Sequence, residues 1–207
     1  MDFPVITNKG EQTGRQAVLA DAIFESAPHK HLVYRAVVNT LTRQRQGNAS
    51  TKSRGEIRGS TRKLRAQKGT GNARRGSANA GILRGGATFG PRPCNYNEKM
   101  NKREKAEAFR SGLVHKKHMG QLLFVEDFQL EAPSTKKYVG LLNQLGVAGE
   151  KVLWVAPDTR KNLVLSARNV PKHKVTRVDK LNTYDLLYAT KVIVLEGALA
   201  GLQKKFA

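Results

Sequence analysis

The order of apolar and polar residues divides the chain into a region of regular elements and a region without them. Apolar residues recur at helical spacing over residues 31–45, where Val33, Val37 and Leu41 share one face, and again over residues 102–118. Between these two stretches, no apolar period of 3.6 or 2 runs through the sequence. The pattern therefore predicts two helices that bracket a long segment without regular secondary structure.

Short apolar runs alternate with helical patterns after residue 118. The runs predict strands at 122–125, 152–156, 175–178 and 192–195, and the intervening patterns predict helices at 134–145, 163–169, 183–189 and 197–206. Two further short strands are expected at 2–6 and 15–19. Alternation of strand and helix is typical of βαβ units. The predicted fold class is α/β: a single domain over residues 1–207 whose mostly parallel sheet is covered by helices, plus a long extended basic internal loop at 43–95.

Individual side chains predict the ends and the buried faces of two of these helices. Asn101 and Glu104 resemble a capping box at the start of the helix at 102–118, whose apolar face is expected to hold Ala106, Phe109 and Leu113. In the helix at 134–145, the residues expected to point inward are Val139, Leu142 and Leu145, and Gly146 is expected to end it.

The charge is concentrated in the segment without periodicity. The chain holds 37 Lys and Arg against 16 Asp and Glu, which gives a net charge of +21. Residues 43–92 hold thirteen of the basic side chains, one acidic side chain (Glu56) and ten of the 19 glycines. Because such a segment buries little apolar surface, we expect it to need a polyanion to fold against.

Composition excludes several classes of protein. An apolar fraction of 39% is sufficient for a buried core. The single cysteine, Cys94, excludes an internal disulfide framework and a zinc site built from several cysteines. No apolar run approaches the roughly 18 residues that span a bilayer, and the first residues do not resemble a signal peptide. We therefore expect a cytoplasmic protein without a membrane partner.

Nucleotide-binding motifs are incomplete. Gly69-Thr70-Gly71 begins like a dinucleotide fingerprint, but the next glycine, Gly76, comes too late, and no strand precedes it. The same glycines approach the spacing of a phosphate loop but lack its lysine. The turns after the strands at 122–125 and 152–156 contain no glycine. These glycines are therefore interpreted as turn residues.

Candidate catalytic and metal-binding side chains also have simpler interpretations. His115 and His118 share a helix face but flank two lysines, which would repel a cation. Asp158, Asp179 and Asp185 lie next to strands, where helix caps and solvated turns account for them. We expect no catalytic residue, no metal, no cofactor and no small-molecule substrate.

Lys and Arg on a glycine-rich backbone are suited to RNA phosphates, because each neutralised phosphate releases counterions. As a hairpin, the segment would reach at most about 80 Å. Stacking platforms within and beside it are few, only Phe89 and Tyr96. The candidate rRNA-binding residues are Arg43, Arg45, Gln46, Lys52, Arg54, Arg58, Arg62, Lys63, Arg65, Lys68, Arg74, Arg75, Arg84 and Arg92.

A series of motifs in this segment and after it resembles the bacterial-type large-subunit ribosomal protein four family. The block Gln67-Lys68-Gly69-Thr70-Gly71-Asn72-Ala73-Arg74 is the most specific. The others are Arg45-Gln46-Gly47, Thr51-Lys52-Ser53-Arg54, Glu56-Ile57-Arg58-Gly59, Gly76-Ser77, Phe89-Gly90-Pro91-Arg92-Pro93, Glu131-Ala132-Pro133-Ser134-Thr135-Lys136, Leu165-Ser166-Ala167-Arg168-Asn169 and Asn182-Thr183-Tyr184-Asp185-Leu186-Leu187. The sequence departs from the family at Leu64-Arg65-Ala66, Asn72, Gly81 and Cys94.

The resemblance implies a structural ribosomal protein, with an α/β domain on the outer surface of the large subunit and a loop threaded into large-subunit rRNA. It also implies an early role in assembly. The tip of the loop, by match to the motif, is Arg65, Gln67, Lys68, Gly69 and Thr70, and it would line the constriction of the peptide exit tunnel beside the ribosomal protein numbered twenty-two. The alternatives are a free regulatory RNA-binding protein and an RNA-modifying enzyme with a basic substrate arm.

Overall fold

The computed structural model of the chain describes residues 2–24, 27–84 and 86–206. It divides into two compact units, one of residues 1–40 with 99–207 and one of residues 41–98. We call the first the α/β unit. The second contains the whole of residues 43–95, which we call the basic segment.

The α/β unit is built on a six-stranded sheet. Its strands are β1 (Asp2–Ile6), β2 (Gln12–Val18), β3 (Leu122–Val125), β4 (Val152–Ala156), β5 (His173–Arg177) and β6 (Lys191–Leu195). Their order across the sheet is β2-β1-β3-β6-β4-β5. Only the β1–β2 pair is antiparallel, so the predicted mostly parallel sheet is confirmed.

Seven α-helices lie within the described residues. They are α1 (Lys30–Arg43), α2 (Gly81–Arg84), α3 (Lys102–His118), α4 (Thr135–Gln144), α5 (Lys161–Arg168), α6 (Thr183–Tyr188) and α7 (Leu199–Phe206). The helix α3 has the predicted bounds, and the Glu104 carboxylate accepts a hydrogen bond from the Asn101 backbone N–H at 3.1 Å. The short helix α2 was not predicted.

Two layers of apolar side chains cover the two faces of the sheet. Alternate residues of one strand enter different layers: Val192 and Val194 of β6 pack with α3, α6 and α7, whereas Ile193 and Leu195 pack with α4 and α5. All five residues of β4 are buried, and Trp154 at its centre is fully enclosed. Burial on both faces explains why this strand is a continuous apolar run in the sequence.

Two predicted helix faces were partly wrong. In α4, Leu142 is buried and Leu145 packs against the core as predicted, but Val139 is exposed, and Tyr138 and Leu141 are buried instead. In α1 the buried residues are Ala36 and Asn39, and Ala36 packs with Met100 and with Ala108 of α3. The predicted stripe through Val33, Val37 and Leu41 is only partly covered.

No helix in the described part of the chain is sufficiently long and apolar to cross a membrane.

Candidate nucleic-acid interface

The basic segment folds back on itself. An antiparallel bridge and several backbone hydrogen bonds of 3.0–3.1 Å join its two halves. The midpoints of these pairs all fall between residues 69 and 71, so the turn is centred on Thr70. The pairs are Gly47 with Cys94, Thr51 with Pro91, Lys52 with Ala87, Lys63 with Ser77, and Leu64 with Gly76.

Glycine permits both the turn and the close approach of the two halves. At the turn, Gly69 and Gly71 have φ of 82° and 64°, in the left-handed region that other residues rarely adopt. Midway along the segment, the Asn79 side-chain amide donates to the Gly59 carbonyl at 3.2 Å. A Cβ on residue 59 would overlap the Asn79 side-chain oxygen, so a larger residue there would displace the Asn79 side chain and its hydrogen bond.

The one acidic residue of the segment joins its two halves by an ion pair. The Glu56 carboxylate accepts from Arg92 at 2.7 Å and from the Ser53 backbone N–H at 2.8 Å. These two interactions, the Arg92 hydrogen bond first, lower the pKa of Glu56 to about 2. Glu56 is therefore ionised at any physiological pH, and it neutralises Arg92.

Two further predicted RNA-binding residues have partners near the base of the segment. The Arg43 guanidinium donates to the Asn97 side-chain oxygen at 2.8 Å. The Arg45 guanidinium lies 3.7 Å from the centre of the Tyr96 ring, a cation–π contact. Together with Arg92, these arginines hold the two ends of the segment together.

Most of the other predicted basic residues are exposed and have no side-chain partner within the described part of the chain. This group of eight consists of Lys52, Arg54, Arg58, Arg62, Arg65, Lys68, Arg74 and Arg75. Lys63 donates to Gln67 at 2.8 Å. The side chain of Arg84 lies outside the described residues, and Gln46 makes no side-chain hydrogen bond within the part of the chain that the structure describes.

The predicted tip coincides with the turn. Arg65, Gln67, Lys68, Gly69 and Thr70 are all exposed, as is every residue from 61 to 76. One local contact orders the far side of the turn, where the Asn72 side chain donates to the Thr70 carbonyl at 2.9 Å.

An exposed aromatic side chain accompanies these charges. Phe89 is 99% exposed, and contact of its apolar ring with water is unfavourable. The ring is free to stack on a nucleobase. Leu64, close to the tip, is 48% exposed.

Two of the three acidic side chains considered as catalytic candidates have structural partners, and the third, Asp158, is exposed. Asp185 is buried at the start of α6, where it pairs with Lys174 at 2.6 Å, and Asp179 pairs with Arg177 at 2.8 Å. No group of three metal-ligating side chains occurs among the described residues.

The comparisons with known proteins agree with this arrangement. A family model described as "Ribosomal protein L4/L1 family" matches residues 17–205. The large ribosomal subunit protein uL4 of Amoebophilus asiaticus is 45% identical over 207 residues, covering 100% of this chain and 99% of the relative. The proteins of that name from Phocaeicola vulgatus and Cytophaga hutchinsonii are 44% and 43% identical over 204 residues, covering 98% of each chain.

Proposed function

The chain belongs to the ribosomal protein L4/L1 family, whose members are structural and not enzymes, and from this premise we propose how it acts. It is a structural component of the large ribosomal subunit in the cytoplasm. It binds large-subunit rRNA through the basic segment, and the tip of that segment lines the peptide exit tunnel. The hypothesis of an RNA-modifying enzyme is excluded by the family.

The observation that carries this proposal is the group of eight exposed basic side chains without partners. Holding like charges on one narrow segment is unfavourable unless counterions or an anionic partner screen them. RNA supplies phosphates at close intervals, and release of its condensed counterions favours binding. A solvated loop without a partner would not require so many unpaired cations on both of its halves.

The fold-back supports insertion into RNA. The contacts between the two halves keep the turn at one end of the segment. Arg45 pairs with Tyr96 near the base of the segment, and Arg92 pairs with Glu56 in the opposite half. A narrow hairpin with exposed cations on both sides fits between rRNA helices. Its tip then reaches the constriction of the tunnel beside the ribosomal protein numbered twenty-two.

The same fold-back supports an early role in assembly, which is part of the proposal. A segment enclosed by rRNA cannot be threaded into a finished subunit, so the protein has to bind while the RNA around the segment is still folding. The α/β unit remains at the outer surface and anchors both ends of the segment.

The test is retention on the large subunit after a high-salt wash. Arg58, Arg62 and Arg65 are replaced together by Gln, and a matched control replaces Lys136, Lys161 and Lys204 of the α/β unit, which are equally exposed. We expect wild type and control to sediment with the large subunit and the arginine variant to be released.

Equal retention of both variants would contradict the proposal. Recovery of the wild-type protein in the ribosome-free fraction, bound to messenger RNA, would support the free regulator instead.

A further inference from the structure

A groove with no role in the proposed function lies in the α/β unit, at the amino-terminal ends of β4 and β5. Its volume is about 340 Å³. The strands contribute one wall and α6 the other. The side chains that matter for its chemistry are Lys172, His173, Lys174, Tyr184 and Tyr188.

Two tyrosines form an aromatic surface along this groove. Tyr184 and Tyr188 lie one helical turn apart on α6, and their rings stack with centroids 6.0 Å apart and planes at 18°. Tyr188 is 51% exposed, and the Lys151 ammonium lies 4.2 Å from its ring centre. The ring is thus a platform for π-stacking with a cation beside it.

The rim of the groove is cationic. Lys151, Lys172 and Lys174 surround the tyrosines, and the groove's carboxylate, Asp185, is already neutralised by Lys174. The two other lysines have no carboxylate partner within the described residues. The surface therefore combines exposed aromatic rings with unpaired positive charge, the combination that single-stranded nucleic acid recognises.

Lys172 is held in a strained backbone conformation. Its φ of 68° makes it the one residue other than glycine with positive φ in the described part of the chain. Gly or Asn would adopt this conformation more readily than Lys. Backbone strain of this kind is often found at functional sites, and here the strained residue lines the groove.

We propose that this groove binds an unpaired RNA nucleotide, with its base against the Tyr188–Tyr184 stack and its phosphate held by Lys172 and Lys151. Stacking on the tyrosines allows any base to bind, and the lysines favour a ligand that carries phosphate charge. The site is separate from the basic segment and does not depend on the role proposed for it.

Photo-crosslinking of the full chain tests the proposal. The probe is a single-stranded RNA of about twelve nucleotides carrying 4-thiouridine, and crosslinked residues are identified by mass spectrometry. We expect crosslinks at Tyr184 or Tyr188 in addition to those in the basic segment. Tyr188→Ala should lower the crosslinks at Tyr184 about fivefold or more, since stacking on one base alone contributes that much. Lys172→Asn should lower the crosslinks at both tyrosines, because it removes a phosphate contact.

Two controls separate binding from folding. Lys172→Asn should melt at or above the wild-type temperature, because Asn tolerates positive φ better. Tyr34→Ala removes a tyrosine that is 65% exposed on α1 and should leave the groove crosslinks unchanged.

Crosslinks confined to the basic segment would overturn the proposal while leaving the proposed function intact. Full groove crosslinking in both Lys172→Asn and Tyr188→Ala would overturn it as well. If polyglutamate bound the groove and RNA did not, the partner would be an acidic protein and the proposal would fail. If crosslinks were found in the groove but not in the basic segment, the result would count against the proposed function and not against the groove.

Discussion

The basic side chains of residues 43–92 should contribute unequally to RNA binding, because some are paired within the protein and others are not. Eight of the thirteen are exposed and have no side-chain partner among the residues that the structure describes, whereas Arg92 is paired with Glu56 at 2.7 Å. If each of the eight neutralises one phosphate, the logarithm of the affinity should fall with the logarithm of salt concentration with a slope of roughly −6 to −7.

Replacing Arg58, Arg62 and Arg65 together by Gln removes three of these contacts. The slope should then become shallower by about 2 to 3, at about 0.7 to 0.9 for each phosphate. The matched control replaces Glu56 and Arg92 together by Gln, which removes a pair of opposite charges and leaves the net charge unchanged. Its slope should match that of wild type.

Filter binding to transcribed large-subunit rRNA over about 50 to 400 mM KCl measures both slopes. The reasoning is refuted if the Glu56 and Arg92 double variant loses as much slope as the triple variant. An unchanged slope in the triple variant would refute it too, because the exposed arginines would then not contact phosphate.

Three further predictions concern the fold. Gly59→Ala should accelerate amide exchange across the basic segment, because its Cβ would overlap the Asn79 amide; Gly55→Ala, with open space around it, should not. Trp154→Ala should destabilise the α/β unit by about 3–5 kcal/mol in urea unfolding, as expected for a fully buried ring. Burial lowers the pKa of His173 below its usual 6.5, so as the pH falls the unfolded chain takes up a proton at this residue before the folded chain does. The stability of the wild type should therefore decline below about pH 6.5, and that of His173→Asn should decline less. Melting temperatures measured as a function of pH would show the difference.

The central strands β3, β4 and β6 were predictable because each is a short apolar run with polar neighbours. The outer strands β2 and β5 are largely polar, and their observed bounds are shifted from the predicted 15–19 and 175–178. Because β4 is buried on both faces, its sequence is an unbroken apolar run. The alternation of strands and helices then predicted the parallel pairing that β4 makes with β5 and β6. The buried face of α1 was not predictable, because the helix packs through the small Ala36 while the larger Val33 and Val37 are only partly covered.

In the candidate interface, the sequence identified the charges and the turn but not their pairing. Composition alone suggested a segment with no means of ordering itself, whereas the structure joins its halves by backbone hydrogen bonds and the Glu56–Arg92 ion pair. Such contacts depend on close approach at glycines such as Gly59, which sequence patterns do not reveal. The tyrosines of α6 were missed because an i, i+4 pair resembles an ordinary helix face.

On the proposed function, the turn around Thr70 lies at the wall of the peptide exit tunnel. A photoreactive amino acid at Lys68, in ribosomes stalled with a nascent chain in the tunnel, tests it directly, with the same label at the exposed Lys136 of the α/β unit as the control. We predict crosslinks from position 68 to the nascent chain and to rRNA, and none from position 136 to the nascent chain. Crosslinks from position 68 that reach neither the nascent chain nor rRNA would contradict the claim.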